Sequence, residues 1–259
     1  MPDTPNRLPK ALLTLLAWLV ATAAVGAILR QKVSGIAEIA QLLSSVPAWN
    51  VVAGILVLAL ATGVFRWRDL GFGPPRALAL ARLIWFPILT LLPFYAIAFG
   101  VGLPPGRAML FLAFNTTLVA LSEEWMFRGI LFRALWTRLR IWPAVALTSI
   151  LFGAIHVLNA FALGDLRLAA GQAVAAMMTG LLLMALMLRT GSIWTSVVYH
   201  MVWNFGILLV GYETAKYPLP DDPLPLTAYL VPMLIVLPNF LFGLILLRKV
   251  RDEPMPGQA

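Results

Sequence analysis

Cysteine is absent from this chain and charge is scarce. Without cysteine there are no disulfides, no thiolate metal ligands and no thiol nucleophile. Asp, Glu, Lys and Arg together make up 12% of the 259 residues, against about 25% in soluble domains. There are only 11 acidic residues and two histidines. There is also no internal repeat, no long polar linker and no G-x-S-x-G nucleophile turn. What the chain does have is apolar sequence, at 61% of its residues. A soluble fold of this length cannot hide so much apolar surface, and a lipid bilayer is the solvent that accommodates it.

A span needs about 20 apolar residues to cross the hydrocarbon core. Eight runs are candidates: 11–29, 46–65, 83–103, 109–131, 143–163, 169–188, 192–212 and 226–247. The first is too long for the apolar core of a signal peptide, about 7–15 residues, and is expected to stay as a membrane helix. Pro87, Pro93, Pro232 and Pro238 fall inside the third and eighth runs, where bundle packing tolerates them. Gly71–Pro75, Pro104–Gly106 and Pro218–Pro225 read as turns, and the tail from Asp252 to Ala259 as a polar end. The expected fold is all-α: a polytopic transmembrane helix bundle of about eight membrane-spanning helices, with residues 1–259 as a single membrane domain.

The net charge of +8 belongs to the membrane and not to nucleic acid, because the basic residues sit between the apolar runs. With eight spans, 14 of the 19 Lys and Arg residues fall on the side shared by both termini. The positive-inside rule then puts both termini in the cytoplasm, and the compact chain suits a bacterial inner membrane. Membrane lipids are the first expected partners, with the basic side facing anionic headgroups.

Nine of the eleven acids lie in tails or connections; Glu123 and Glu124 alone fall inside a span. Both histidines, His156 and His200, also lie inside spans. An ionisable group at mid-helix costs about 2.5–3.5 kcal/mol on insertion scales, so function is the default reading. The spacing is informative. Glu124 and Arg128 are four apart and share a helix face, as are Phe152 and His156, and His200 and Asn204. Glu123 lies about 100° round from Glu124. At about 1.5 Å per residue, Glu123, His156 and His200 lie roughly 12–20 Å from the cytoplasmic end, so they are able to meet in one cavity.

A desolvated carboxylate at Glu123 is suited to take a proton from water. His156 would orient that water or shuttle the proton, and His200 with Asn204 would donate to an oxyanion. Arg128 would hold Glu124 ionised. Blander readings stand beside these. The fourth helix could end early and leave both glutamates at the interface, and Arg128 could be an interfacial anchor. His156 could be a hydrogen-bonded core residue, and Asn204, like Asn159 and Gln172, could be interhelical glue. Glu123, His156 and His200 also form a possible zinc ligand set, although the pattern is not H-E-x-x-H.

E-E-x-x-x-R, F-x-x-x-H and H-x-x-x-N, in this order within membrane helices, resemble the CPBP family. That family comprises type II CAAX prenyl endopeptidases and bacteriocin-processing or immunity proteins, the ABI group of intramembrane glutamic proteases. The resemblance covers about residues 110–210, and the three motifs are intact. It implies Glu123 as catalytic base, supported by Glu124 and Arg128. It implies His156 as a second catalytic position, and His200 and Asn204 as the oxyanion site. Members are also labelled metalloproteases, so a glutamic mechanism without cofactor is expected and zinc is the alternative. The implied substrate is a membrane-associated peptide or protein. A non-enzymatic immunity or peptide-binding protein, and a proton-coupled transporter, are the competing functions.

Overall fold

The computed structural model describes residues 6–29, 36–216 and 226–251. The Pro218–Pro225 turn and the 252–259 tail lie outside these. Every described element is helical. In chain order they are α1 (Arg7–Ile28), α2 (Ile36–Leu43), α3 (Trp49–Val64), α4 (Ala77–Leu83), α5 (Trp85–Val101) and α6 (Gly106–Glu124). A π-helical stretch (Trp125–Leu131) leads into α7 (Phe132–Trp136) and α8 (Ile141–His156). A 3₁₀ turn (Val157–Asn159), α9 (Ala160–Leu163), α10 (Leu166–Thr190), α11 (Ile193–Thr214) and α12 (Leu226–Leu247) complete the bundle.

Each of the eight runs read from sequence coincides with a helix or a helix pair. The third is broken: α4 and α5 meet at 51°, with Pro87 in the first turn of α5, where a missing N–H costs no helical bond. Five described helices are long and apolar enough to cross a membrane, or six with the bent pair. α3, at 16 residues, is shorter. α6 is more polar, carrying Asn115, Thr116, Thr117 and the glutamates. α2 has no counterpart among the eight runs. It is too short to show as a span, and its end is held by the buried Asn115. The Asn115 amide donates to the Leu43 and Val46 carbonyls at 2.7 and 2.8 Å, and its oxygen accepts from the Ala48 N–H at 2.9 Å.

α10 is the central helix. Its run Leu182–Met187 is almost fully buried, packed between α8, α11 and α12. Lipid is as apolar as leucine, so burial supplies little drive between membrane helices; close packing over small residues and polar ties must do it. Gly153 lets α8 press on α10, where a Cβ would come within 2.5 Å of the Ala173 carbonyl. Gly243 of α12 likewise packs on Leu182, whose Cα would lie 3.0 Å from a Cβ there. The outer faces are apolar and open: Leu60, Phe99 and Leu110 are each about 70% exposed, as lipid-facing side chains must be.

The ends of α10 are set by sequence. Asp165 accepts from the Arg167 and Leu168 N–H groups at 2.7 and 3.2 Å and starts the helix. Gly191, at φ +76°, stops it in the left-handed region, where its N–H reaches the Met187 carbonyl at 2.8 Å. Ser192 then caps α11 through the Trp194 N–H. This tight α10–α11 corner fixes how far along the bundle the residues of α11 reach, His200 included.

On the side of the α3–α4 connection, Arg7 at the start of α1 makes a two-bond ion pair with Asp69, at 2.8 and 2.9 Å. Higher in α1, the Trp18 indole N–H donates to Ser122 at 2.8 Å, and the Trp18 ring meets Phe127 edge-on at 6.1 Å. α1 is thereby fastened along the helix that carries the glutamate pair.

Candidate active site

α6 delivers Glu123 and Glu124 at its last turn, and the π-helical stretch begins at the next residue. Such widened turns are rare and recur at functional sites. The i, i+4 relation between Glu124 and Arg128 holds across the junction. Arg128 Nη1 donates to Glu124 Oε1 at 3.1 Å, and both side chains are completely buried. Arg128 is therefore an interior residue and not an interfacial anchor. Its other terminal nitrogen, Nη2, donates to the Gly180 carbonyl of α10 at 3.1 Å. The Phe152 ring of α8 lies 4.2 Å from the guanidinium carbon, an attractive cation–π contact in a desolvated setting.

α11 brings in His200, also buried. Its Nδ1 lies 2.9 Å from Glu124 Oε1. That oxygen already accepts from Arg128, so the ring nitrogen is the donor. This leaves His200 Nε2 facing Glu123, whose Oε2 stands 3.8 Å away. Glu123 is 17% exposed, yet its Oε2 is buried and makes no hydrogen bond among the described residues. Two carboxylates, one guanidinium and one imidazole thus share one desolvated volume. The Arg128 guanidinium against Glu124 supplies the buried opposite charge that such a group needs in a low dielectric.

His156, the last residue of α8, donates from Nδ1 to the Phe152 carbonyl at 2.8 Å, which leaves Nε2 as its second hydrogen-bonding atom. It reaches the cluster through Phe152. That ring meets His156 at 5.0 Å and His200 at 6.1 Å, edge-on to both. Asn204 lies one turn beyond His200 on α11, half-buried and without a hydrogen bond among the described residues. The structure therefore joins Glu123, Glu124, Arg128 and His200 directly and His156 through Phe152. It leaves the Asn204 amide unengaged. Asn159 and Gln172 bond each other at 2.8 Å, as interhelical glue should.

Glu124 engages His200 Nδ1 and the Phe152 carbonyl engages His156 Nδ1. Among the described residues, no three His, Asp or Glu side chains are grouped to hold an ion.

Sequence reasoning did not anticipate the Gly180 carbonyl or the Trp18–Ser122 bond, because each contact is made by helices far apart in the chain. An isolated glycine in the aliphatic run of α10 was the available signal for the first. No curated protein and no solved structure matches the chain. Residues 105–206 match the family model described as type II CAAX prenyl endopeptidase Rce1-like. The match runs from the start of α6 to the middle of α11, within five residues of the 110–210 core read from the motifs, and it contains all six candidate site residues. The chain is an integral membrane protein whose residues 105–206 are similar to the type II CAAX prenyl endopeptidase Rce1-like family.

Proposed function

We propose that the cluster is a hydrolytic centre, and that the protein is an intramembrane endopeptidase that cuts a membrane-associated peptide by a glutamate-activated water. One observation carries this reading: the 3.8 Å between Glu123 Oε2 and His200 Nε2. That distance is too long for a direct hydrogen bond and suits two groups that share a water. Glu123 takes a proton from the water as its oxygen attacks the peptide carbonyl. The tetrahedral oxyanion accepts from His200 Nε2–H of the imidazolium and from the Asn204 amide. The proton on Glu123 then passes to the leaving amine.

Arg128 has no part in the oxyanion site, because its terminal nitrogens are committed to Glu124 and Gly180. Glu124 is the anchor that holds His200 in its tautomer and orientation. His156 offers Nε2 to the same water or to the departing amine. The mechanism is read as metal-free, since among the described residues no three His, Asp or Glu side chains are grouped to hold an ion. The family description makes a prenylated C-terminal peptide the first substrate to try, and the intramembrane position of the site suits a substrate held by a lipid anchor.

The test uses the purified protein in liposomes with an internally quenched, C-terminally prenylated peptide. Glu123→Gln and His156→Ala are each expected to lower cleavage at least ~100-fold with unchanged helical content. Cleavage at the native rate by either variant sinks the assignment.

A further inference from the structure

The chemistry assigned to Glu123 and His200 depends on Glu124, and Glu124 depends on Arg128. What Arg128 depends on is a glycine outside the three motifs. Gly180 lies in the middle of α10, between the large residues of the buried run and Met178. Glycine is disfavoured inside a helix relative to alanine, so its presence there asks for a reason. Two are visible. Its carbonyl accepts from Arg128 Nη2 at 3.1 Å. Its bare Cα leaves the room that Arg128 and Phe152 occupy: a Cβ would stand 3.0 Å from Phe152 Cδ1 and 3.3 Å from Arg128 Nη2.

We propose that Gly180 is a positioning residue for the reaction: it seats the Arg128 guanidinium, and through Arg128 and Glu124 it fixes the ring of His200. The proposal rests on the hydrolase reading for its functional meaning, but its structural content is independent of it. The guanidinium has three neighbours of different kinds: a carboxylate, a carbonyl and an aromatic face. Only the carboxylate is in its own helix. The α10 carbonyl sets where the far end of the side chain lies, and so which way Glu124 Oε1 is turned when His200 Nδ1–H reaches it at 2.9 Å. A methyl at 180 meets the movable ends of two side chains and no backbone atom closer than 3.6 Å. The helices can therefore stay in place while the guanidinium and the ring shift by a few tenths of an ångström.

Gly171, nine residues earlier on the same helix, is the contrasting position. A Cβ there would meet the Tyr229 carbonyl of α12 at 2.7 Å, so Gly171→Ala is a packing defect with no link to Arg128. The chain has only two histidines, so protein labelled with ¹⁵N-histidine gives two ring systems, with His200 assigned by its loss in His200→Gln. The readouts are the His200 Nδ1–H signal, the Tm, and cleavage of the prenylated peptide. Gly180→Ala is expected to displace that signal and to speed its exchange with water about tenfold. It should lower kcat about tenfold with KM unchanged, the scale of a small misplacement of catalytic groups. Gly171→Ala is expected to lower Tm and leave the His200 signal where it was.

The proposal is overturned if Gly180→Ala leaves the His200 signal unchanged, or if Gly171→Ala moves it equally. Failure of the native protein to cleave any peptide would instead remove the hydrolase reading alone, since the His200 signal reads the positioning role without it.

Discussion

Glu124 and His200 lie 76 residues apart in the chain, yet His200 Nδ1 sits 2.9 Å from Glu124 Oε1, an oxygen already bonded by Arg128. One carboxylate oxygen thereby ties α6, the π-helical stretch and α11 together at the point where Glu123 faces His200 Nε2.

Glu124→Gln tests that tie. The substitution keeps the shape and removes the charge that Arg128 and His200 share. Removing one partner of a buried ion pair destabilises a fold by about 3–5 kcal/mol. The variant is expected to show a lower Tm and almost no cleavage. Arg128→Met should also lower stability, since it leaves the buried Glu124 carboxylate with only the His200 ring as partner among the described residues; native Tm in both would contradict the reading.

Treatment with a strong chelator, followed by assay in metal-free buffer, is expected to leave cleavage at its starting rate. Loss of activity on stripping, restored by added zinc, would show instead that Glu123, His156 and His200 close on an ion when substrate is present.

Asp69 gives a pH-dependent term outside the membrane. Partial burial would raise its carboxyl above the ordinary 3.8, but the hydrogen bonds and charge of Arg7, aided by Arg133, outweigh this and hold it below. A carboxylate whose folded value is depressed contributes its full stability above the ordinary value and loses it as pH falls through the folded one. Melting followed downward from neutral pH should therefore show a drop beginning near 3.8 that is weaker in Asp69→Asn. An identical profile in the two proteins would count against the pairing.

Gly153→Ala is expected to destabilise by about 1–3 kcal/mol, because its methyl would meet the Ala173 backbone carbonyl at 2.5 Å. Gly73→Ala, with nothing within 4 Å, should melt like the native protein. Thermal unfolding of the pair in one detergent decides it.

Orientation is directly measurable because the chain has no cysteine. Single cysteines from Gly73→Cys and Arg138→Cys should be labelled by an impermeant reagent from the cytoplasmic side. Those from Arg107→Cys and Arg167→Cys should be labelled from the opposite side. The reverse pattern would put both termini outside.

The helical class and the run of apolar segments were legible because a span must satisfy its own backbone and show about 20 apolar residues to lipid, which is a local property. The Glu124–Arg128 pair was legible for the same reason, being four residues apart on one helix. The short α2 was not, because its end is held by Asn115, a residue of α6. The break between α4 and α5 and the π-helical turn after Glu124 were not, because both depend on what the neighbouring helices press against.

By itself the sequence determined the bilayer as solvent, the approximate spans, and that Glu123, Glu124, His156 and His200 belong to them, all consequences of composition and helical period; the burial of Glu213 in α11 and of Arg7 was not among them. Tertiary packing alone decided that His200 meets Glu124 and faces Glu123, that His156 reaches them only by way of Phe152, and that Gly180 receives Arg128. Those relations are set by how closely helices approach and how they are rotated, which arises from small residues in contact across the bundle and from no periodicity within one helix.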